Sequence, residues 1–134
     1  MSHPQLPQTA IRLKNLRHGT MLYDNVQSGL IPWQESTNSD GYWYITHITE
    51  NTYKIKNRQS GNCVYYNTDK KKPITWRDSA NGDGVWEFVP TSIVGQYRIR
   101  NVLTPTMYLY HNRDQGIIGY MDNGEDDGIW AIKE

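Results

Sequence analysis

The four-residue pattern Asp-Gly-x-Trp occurs three times in this 134-residue chain, at nearly even spacing. The three copies end at Trp43, Trp86 and Trp130. A pattern that recurs with a period of about 20–50 residues is the sequence signature of folds built from internal repeats. Aligned on these tryptophans, the chain divides into three repeats at about residues 9–49, 52–91 and 95–134.

Each repeat opens with a segment in which apolar residues alternate with Lys or Arg, and which ends in Asn. The three segments are IRLKN (11–15), YKIKN (53–57) and YRIRN (97–101). Alternation with a period of two is typical of a half-buried strand, and the Asn favours a turn after it. Three further short strands follow in each repeat: one around LYDN, VYYN or LYHN, one that ends at an aromatic residue, and one that begins beside the Asp-Gly turn. The sequence therefore predicts an all-β fold of about twelve strands.

The three repeats are expected to bury their apolar faces against one another, because a unit of about 40 residues has too small a core to fold alone. Closure about a pseudo-threefold axis would also protect the edges of the sheet. We therefore predict a single domain over residues 1–134. The three repeated tryptophans should fill equivalent places in its core, and the residue two positions further on should point the same way. Those following residues are Ile45, Phe88 and Ile132.

The charge balance limits the partners of the protein. Lys+Arg and Asp+Glu both total 14, so the formal net charge is zero. Non-specific binding to nucleic acid or to a membrane surface would need a basic excess, so we expect no nucleic acid and no membrane insertion. The run Lys70-Lys71-Lys72 is the one basic cluster, and it is interpreted as a solvated turn.

Cysteine content and the start of the chain bear on the compartment. Cys63 is the single cysteine, which excludes an intrachain disulfide. The opening segment MSHPQLPQ has no apolar stretch of the kind that a secretory signal needs. These features predict a cytoplasmic protein, and they are compatible with leaderless release.

Motifs for catalysis are absent from the sequence. The four histidines, at positions 3, 18, 47 and 111, do not have metal-ligand spacing, and there is no P-loop and no G-x-S-x-G pattern. Cys63 aligns with Met21 and Met107, which indicates a small buried hydrophobe and not a nucleophile. We predict no enzymatic activity, no metal site and no cofactor.

The repeat pattern of the sequence resembles that of a known family. Three repeats of this size, each with a strand ending in Asn, a Gly-containing turn, an aromatic residue and a later x-x-Trp, resemble a β-trefoil. The nearest group is that of the R-type (ricin B-chain-like) lectins, over about residues 9–134. In lacking a signal and disulfides, the sequence is similar to the small cytoplasmic β-trefoil lectins of mushrooms. It is similar in the same way to their relatives that inhibit proteases.

The resemblance implies one shallow sugar site in each repeat. In R-type lectins an aromatic residue of the third strand stacks on the sugar, an Asp after the second strand binds hydroxyls, and an Asn-Gln pair precedes the core Trp. Carried over by position, the stacking aromatics are Trp33, Trp76 and Tyr120. The family's Asn becomes Asp40, Asp83 and Asp127.

This chain departs from the family pattern at three further places in every repeat. The family's Asp aligns near Tyr23, Tyr65 and Tyr110, where the neighbouring Asp24, Tyr66 and His111 are candidate substitutes. The family's Gln becomes Gly41, Gly84 and Gly128, and the Gln of its Gln-x-Trp signature becomes Ile31, Ile74 and Ile118. The departures argue against a galactose preference, but an aromatic and polar surface is expected to remain.

A recurrent Asn supplies a further candidate in each repeat. Asn25, Asn67 and Asn112 end the second strands, and each amide offers both a donor and an acceptor to a sugar hydroxyl. Asn between strands also commonly satisfies the backbone of a turn. Both interpretations stay open at the level of the sequence.

Two interpretations also stay open for the stacking aromatics. Ile31 and Ile74 lie two positions before Trp33 and Trp76, so the period of a strand places each Ile and Trp on one face. If the Ile points inward, the Trp belongs to a second core layer. The family resemblance instead favours a sugar site.

Carbohydrate binding is the predicted function. An aromatic ring covers the C–H face of a pyranose, while carboxylate and amide groups bind its hydroxyls, and charge-assisted bonds are the stronger. Weak single sites repeated on one body, or on a homodimer, gain by avidity. The expected partners are therefore glycans or glycoconjugates, and the resemblance implies a role in defence.

The alternative function is protease inhibition through a single surface loop. Three segments could enter an enzyme's cleft: NVQSGLIP, NTDKKKPIT and PTSIVG. A lectin site should recur in each repeat, whereas an inhibitory loop need occur only once. The recurrence of LYxN-like and aromatic positions favours the lectin.

Overall fold

The structure of the protein is a computed structural model that describes residues 6–134. Residues 1–5, which include His3, lie outside the described residues. They form most of the segment MSHPQLPQ, from which the absence of a secretory signal was predicted. Twelve strands are present in this part of the chain, four in each repeat, which confirms the all-β prediction. They are β1 (Arg12–Asn15), β2 (Met21–Asn25), β3 (Gly29–Trp33), β4 (Trp43–Thr49), β5 (Thr52–Asn57), β6 (Cys63–Asn67), β7 (Lys72–Trp76), β8 (Trp86–Pro90), β9 (Gln96–Asn101), β10 (Tyr108–Asn112), β11 (Gly116–Tyr120) and β12 (Trp130–Lys133).

Six strands, the first and last of each repeat, form a barrel. Antiparallel pairing runs from β1 through β12, β9, β8 and β5 to β4. The ring closes where Ile11 and Trp43 exchange backbone hydrogen bonds of 2.9 and 2.7 Å. Closure removes the unpaired edges that an open sheet of this length would expose.

The other six strands form three hairpins, β2–β3, β6–β7 and β10–β11, which cover one end of the barrel. Strands β3, β7 and β11 meet one another around the pseudo-threefold axis. The Asp-Gly segments form short 3₁₀ turns between each hairpin and the next barrel strand, at Ser39–Gly41, Gly82–Gly84 and Asp126–Gly128. A closed barrel capped by three hairpins is a β-trefoil, as the resemblance implied. No helix among residues 6–134 is long and apolar enough to cross a membrane.

The three repeated tryptophans lie in the centre of the core, as predicted. Trp43, Trp86 and Trp130 are at most 1% exposed. Each indole N–H donates to a backbone carbonyl of the hairpin in its own repeat, at 2.8–2.9 Å; the acceptors are Leu22, Val64 and Leu109. The residues two positions further on are buried or packed against the core. Each Trp therefore joins the barrel to the cap.

The Asn that ends the first strand of each repeat joins neighbouring repeats. Asn15, Asn57 and Asn101 are at most 1% exposed. Each side-chain amide donates to the backbone carbonyl of an Asp in another repeat at 2.9–3.0 Å; the acceptors are Asp127, Asp40 and Asp83. The amide oxygen meanwhile accepts a bond from the following turn, at His18, Gln59 and Thr104 among others. We call these three residues the asparagine clasps.

We expect Trp86→Ala to lower the free energy of unfolding by about 3–5 kcal/mol, because it removes a fully buried ring and leaves a cavity. It also leaves the carbonyl of Val64 without its indole donor. Trp76→Ala is the matched control, since Trp76 is 59% exposed. Urea denaturation followed by circular dichroism measures both. Equal losses for the two variants would contradict the assignment of Trp86 to the core.

Candidate functional site

One large aromatic side chain is exposed at the end of the third strand of every repeat. Trp33 is 61%, Trp76 59% and Tyr120 47% exposed. We call their surroundings site one, site two and site three. The interpretation of Trp33 and Trp76 as a second core layer is therefore wrong. Ile31 and Ile74 share the outer face with them and are only half-buried.

Ion pairs hold the segment that follows each aromatic. The acid two residues further on binds basic side chains of the first strand in its own repeat. In site one, Glu35 pairs with Arg12 and Lys14 at 3.2 and 3.3 Å, and the hydrogen bond from Lys14 lowers the pKa of Glu35. In site two, Asp78 pairs with Lys54 and Lys56, and Lys54 lowers the pKa of Asp78. The equivalent pair in site three is Arg98 with Asp122. These contacts fix the direction in which the chain leaves each aromatic residue.

A buried Tyr lies beneath each site, at the position of the family's Asp. Tyr23, Tyr65 and Tyr110 are at most 4% exposed. In site two the Tyr65 hydroxyl donates to the carbonyl of Arg77 and accepts from the backbone N–H of Ser79, both at 2.8 Å. The Tyr hydroxyls of sites one and three make similar bonds with the chain after the aromatic. Each phenol therefore uses its polar end to fix the same loop that the ion pairs hold.

The Gly of each Asp-Gly turn lies directly against this Tyr ring. A Cβ added at Gly41, Gly84 or Gly128 would come within 2.5 Å of a ring carbon of the Tyr in the same repeat. That separation is far below van der Waals contact. Only glycine fits beside the ring, so the Tyr and the Gly depend on each other in every repeat.

The Asp of each Asp-Gly turn is half-buried beside the site. The asparagine clasps bind the backbone carbonyls of Asp40, Asp83 and Asp127, and this fixes where their carboxylates lie. The Oδ1 atom of each is buried and has no hydrogen-bond donor among residues 6–134. Asp127 has a guanidinium nitrogen of Arg17 at 3.9 Å, whereas Asp40 and Asp83 have no ion pair in the described part of the chain. The acceptor capacity is therefore greatest in sites one and two.

Asp24 and Tyr66 were predicted as site residues, and the structure places both in the interior. Asp24 is 5% exposed and accepts bonds from Ser60, Asn62 and Thr75 of the second repeat. Tyr66 is 4% exposed and belongs to the hydrophobic core. This position of the second strand faces the barrel and the neighbouring hairpins, so these two predictions are corrected.

His111 occupies the equivalent position in the third repeat and is also buried, at 8% exposure. Its Nδ1 lies 2.6 Å from the Thr20 hydroxyl, and its ring centroid lies 4.2 Å from that of His18. Burial, and then the proximity of His18, lowers the pKa of His111 to about 4. The prediction of His111 as a sugar ligand is corrected: it is a neutral packing residue between the first and third repeats.

The three Asn residues that end the second strands satisfy turns. Asn25 accepts bonds from the backbone N–H groups of Gln27 and Ser28, both at 2.9 Å. Asn67 and Asn112 accept equivalent bonds from their own turns. The turn interpretation therefore holds for the amide oxygen of all three, while the side chains remain partly accessible.

A cleft of about 720 Å³ extends from site two toward the pseudo-threefold axis. Trp76, Asn81 and Asp83 line its outer end, and residues of all three hairpins line the remainder. Lys70 and Lys72 belong to its wall as well. Site two is therefore larger and more polar than a flat patch around one ring.

The described residues hold no group of three or more His, Cys, Asp and Glu side chains that could bind a metal ion. Cys63 is fully buried, and burial raises the pKa of its thiol to about 11. A thiol in this state is a poor nucleophile at neutral pH. Its interpretation as a small buried hydrophobe is confirmed.

A family model described as ricin-type β-trefoil lectin domain-like matches residues 42–116, more than half of the chain. The chain belongs to this family. No curated protein sequence matches it significantly. The ricin-type match covers the end of the first repeat, the whole second repeat and the start of the third, so it includes site two.

Solved structures share the fold of this ricin-type chain at low sequence identity. The BEL β-trefoil superposes with a TM-score of 0.87 at 18% identity, covering 99% of each chain. The designed threefold-symmetric protein ThreeFoil gives a TM-score of 0.84 at 17% identity, covering 93% of this chain and 98% of its own. SeviL, solved bound to asialo-GM1 saccharide, gives a TM-score of 0.80 at 17% identity, covering 96% of this chain and 98% of its own. These likenesses confirm the β-trefoil fold.

We expect Gly84→Ala to destabilise this ricin-type domain by about 1–3 kcal/mol, because the new methyl group would overlap the Tyr65 ring. Gly82→Ala is the control: it lies in the same turn, its nearest contact is 4.0 Å away, and its φ is not positive. It should change stability by no more than about 0.5 kcal/mol. Thermal and urea unfolding measure both, and a Gly84→Ala protein as stable as the control would refute the packing argument.

Acid should weaken the junction between the first and third repeats. The pKa of His111 is about 4 in the folded chain and about 6.5 when unfolded, so the unfolded chain binds the proton first as the pH falls. The stability that neutral His111 contributes is complete above about pH 6.5 and is lost as the pH falls through about 4. We expect His111→Asn to remove about 3 kcal/mol of this pH dependence, since each pKa unit corresponds to about 1.4 kcal/mol. His47→Asn, at an exposed position, should retain it, and equal slopes for wild type and His111→Asn would contradict the expectation.

Proposed function

We propose that this protein is a lectin that binds glycans through sites one and two, with Trp33 and Trp76 as stacking platforms. The observation that carries the proposal is the symmetric exposure of these two rings at 61% and 59%. Single exposed apolar residues are common on protein surfaces, but a large exposed ring at the same position of two repeats favours a shared role. Family membership supports the same conclusion.

The surroundings of the two rings suit a polyhydroxylated ligand. Asp40 and Asp83 have no ion-pair partners among the described residues, and each is fixed through its backbone by an asparagine clasp. The Oδ1 atom of each is buried, so the other carboxylate oxygen is the acceptor proposed for a ligand hydroxyl. A hydroxyl group that donates to a carboxylate forms a charge-assisted bond, which is stronger than a neutral one. A site that is fixed before the ligand arrives loses less entropy on binding.

Site three is proposed to bind more weakly than the other two. The Tyr120 ring packs edge-on against Tyr110, with centroids 6.1 Å apart, and it is less exposed than either Trp. Asp127 also lies near Arg17, which competes for its carboxylate. Tyr120 and Asp127 remain predicted site residues, but sites one and two carry the proposed activity.

The mode of action proposed is non-enzymatic and independent of metals and cofactors, with avidity gained from more than one site on a body or on a homodimer. A cytoplasmic location and a role in defence stay predictions. The recurrence of the exposed rings supports a lectin over a protease inhibitor, because inhibition through one loop would not require equivalent aromatic sites in two repeats.

A glycan array probed at high protein concentration tests the proposal. For the glycan that binds, we expect Trp76→Ala and Trp33→Ala each to weaken binding by about tenfold, roughly 1.4 kcal/mol, because each removes a stacking face. Tyr44→Ala is the matched control, since Tyr44 is an aromatic residue 40% exposed on β4, opposite Lys56 of β5, and is not one of the three stacking aromatics.

Circular dichroism and thermal unfolding should show that all three variants keep the fold, because the substituted rings are exposed. An array on which no glycan binds would refute the lectin proposal, and a protease panel would then be the next measurement. Equal effects of Tyr44→Ala and Trp76→Ala would refute the role assigned to site two.

A further inference from the structure

The turn between β6 and β7 differs from its two counterparts in length and in charge. In the first and third repeats the residues that pair across the turn are Asn25 with Gly29 and Asn112 with Gly116. In the second repeat Asn67 pairs with Lys72, so this turn is longer by one residue. It contains the run Lys70-Lys71-Lys72, to which neither sibling turn has an equivalent. We call it the lysine turn.

The lysine turn also uses an unfavourable backbone conformation. Lys71 has a φ of +57°, whereas the sibling turns place glycine in the left-handed region, with φ of +77° at Gly29 and +80° at Gly116. A residue with a Cβ is sterically disfavoured there, and such positions often belong to functional surfaces. The bend directs the lysines on either side of it to the wall of the cleft.

Two of these lysines line the cleft of site two, where Asp69 of the same turn offsets only part of the charge of the three lysines. Lys70 and Lys72 are exposed in the cleft wall and form no ion pair within residues 6–134. By contrast, Lys14 and Lys54 bind Glu35 and Asp78 near the aromatic residues. The protein has zero net charge, but Lys70 and Lys72 give the cleft of site two a local positive charge that sites one and three lack.

We propose that site two recognises acidic oligosaccharides: a sugar ring stacks on Trp76 while a carboxylate or sulfate on a neighbouring sugar binds Lys70 and Lys72. The inference rests on the proposed lectin function and names the ligand class of that same site. Ammonium groups recognise either anion by charge-assisted hydrogen bonds. Asp83 lines the same cleft as Trp76, where its carboxylate suits hydroxyl donors and repels an anion. The cleft therefore orients an acidic chain in one direction.

The geometry of β7 sets the size of the ligand. Lys72 and Trp76 lie on one face of this strand, four residues apart, which at about 3.3 Å per residue separates their Cα atoms by ~13 Å. This separation exceeds the width of one pyranose ring. We therefore expect the acidic group and the stacked ring to lie on different sugars, and an acidic monosaccharide to gain little from the lysines.

The experiment compares neutral oligosaccharides with sialylated and sulfated derivatives of the same cores, first on an array and then by calorimetric titration of the series that binds best. We expect the best acidic derivative to bind the wild-type chain about tenfold more tightly than its neutral core at low ionic strength. The double variant Lys70→Gln/Lys72→Gln should reduce that preference to within about twofold. Comparing sialylated with sulfated forms shows which anion is preferred.

Lys71→Gln is the matched control, because Lys71 belongs to the same turn but not to the cleft wall. It should keep the acidic preference. A neutral core that binds as tightly as all its acidic derivatives would overturn this inference while leaving the lectin proposal intact. If Lys71→Gln loses as much of the acidic preference as the double variant, the preference reflects general positive charge and the inference is overturned. The inference is also overturned if a single-stranded oligonucleotide binds as tightly as the acidic glycan and this binding depends on the lysines. An array on which nothing binds would overturn both proposals.

Discussion

A buried asparagine amide at each junction between repeats is the interaction on which the rest of this structure depends. The asparagine clasps are almost fully buried, and each bonds its own turn and the Asp-Gly turn of another repeat. A buried amide that lost these partners would keep its desolvation cost without compensation. The clasps therefore specify the order and register of the three repeats, while the three tryptophans are the largest fully buried side chains.

The same bonds determine where function can reside. Because a clasp holds the backbone carbonyl of each turn Asp, the carboxylate beside each exposed aromatic is fixed by a residue from a different repeat. Where the resemblance implied an Asp and a Gln, this chain has a buried Tyr packed against a Gly beneath each exposed aromatic. The surface beneath the exposed aromatics therefore differs from the one that the family pattern implies.

Much of the fold was predictable from the sequence, because the strands carry period-two alternation and the turns carry Asp, Asn and Gly. The sequence did not predict which face of each third strand points inward. The segment Leu30-Ile31-Pro32-Trp33 is apolar on both faces, so alternation does not say which side is inward; pairing with β2 decides it. The clasps were missed for a related reason. An Asn before a turn is adequately explained by local bonds, and its second partner lies in a distant part of the chain. The burial of Asp24 and His111 likewise depends on contacts between repeats that no local pattern records.

The junction that closes the barrel is built like the two inside the chain. Four residues of β1 pair with β12, Asn15 holds the turn at Asp127, and the guanidinium of Arg12 donates to the backbone oxygen of Glu134 at 3.1 Å. The third repeat meets the first through the same kinds of bonds that join successive repeats. The architecture is therefore cyclic, although the polypeptide is linear. The native contacts therefore do not depend on which repeat is translated first, and a circularly permuted polypeptide could in principle reproduce nearly all of them.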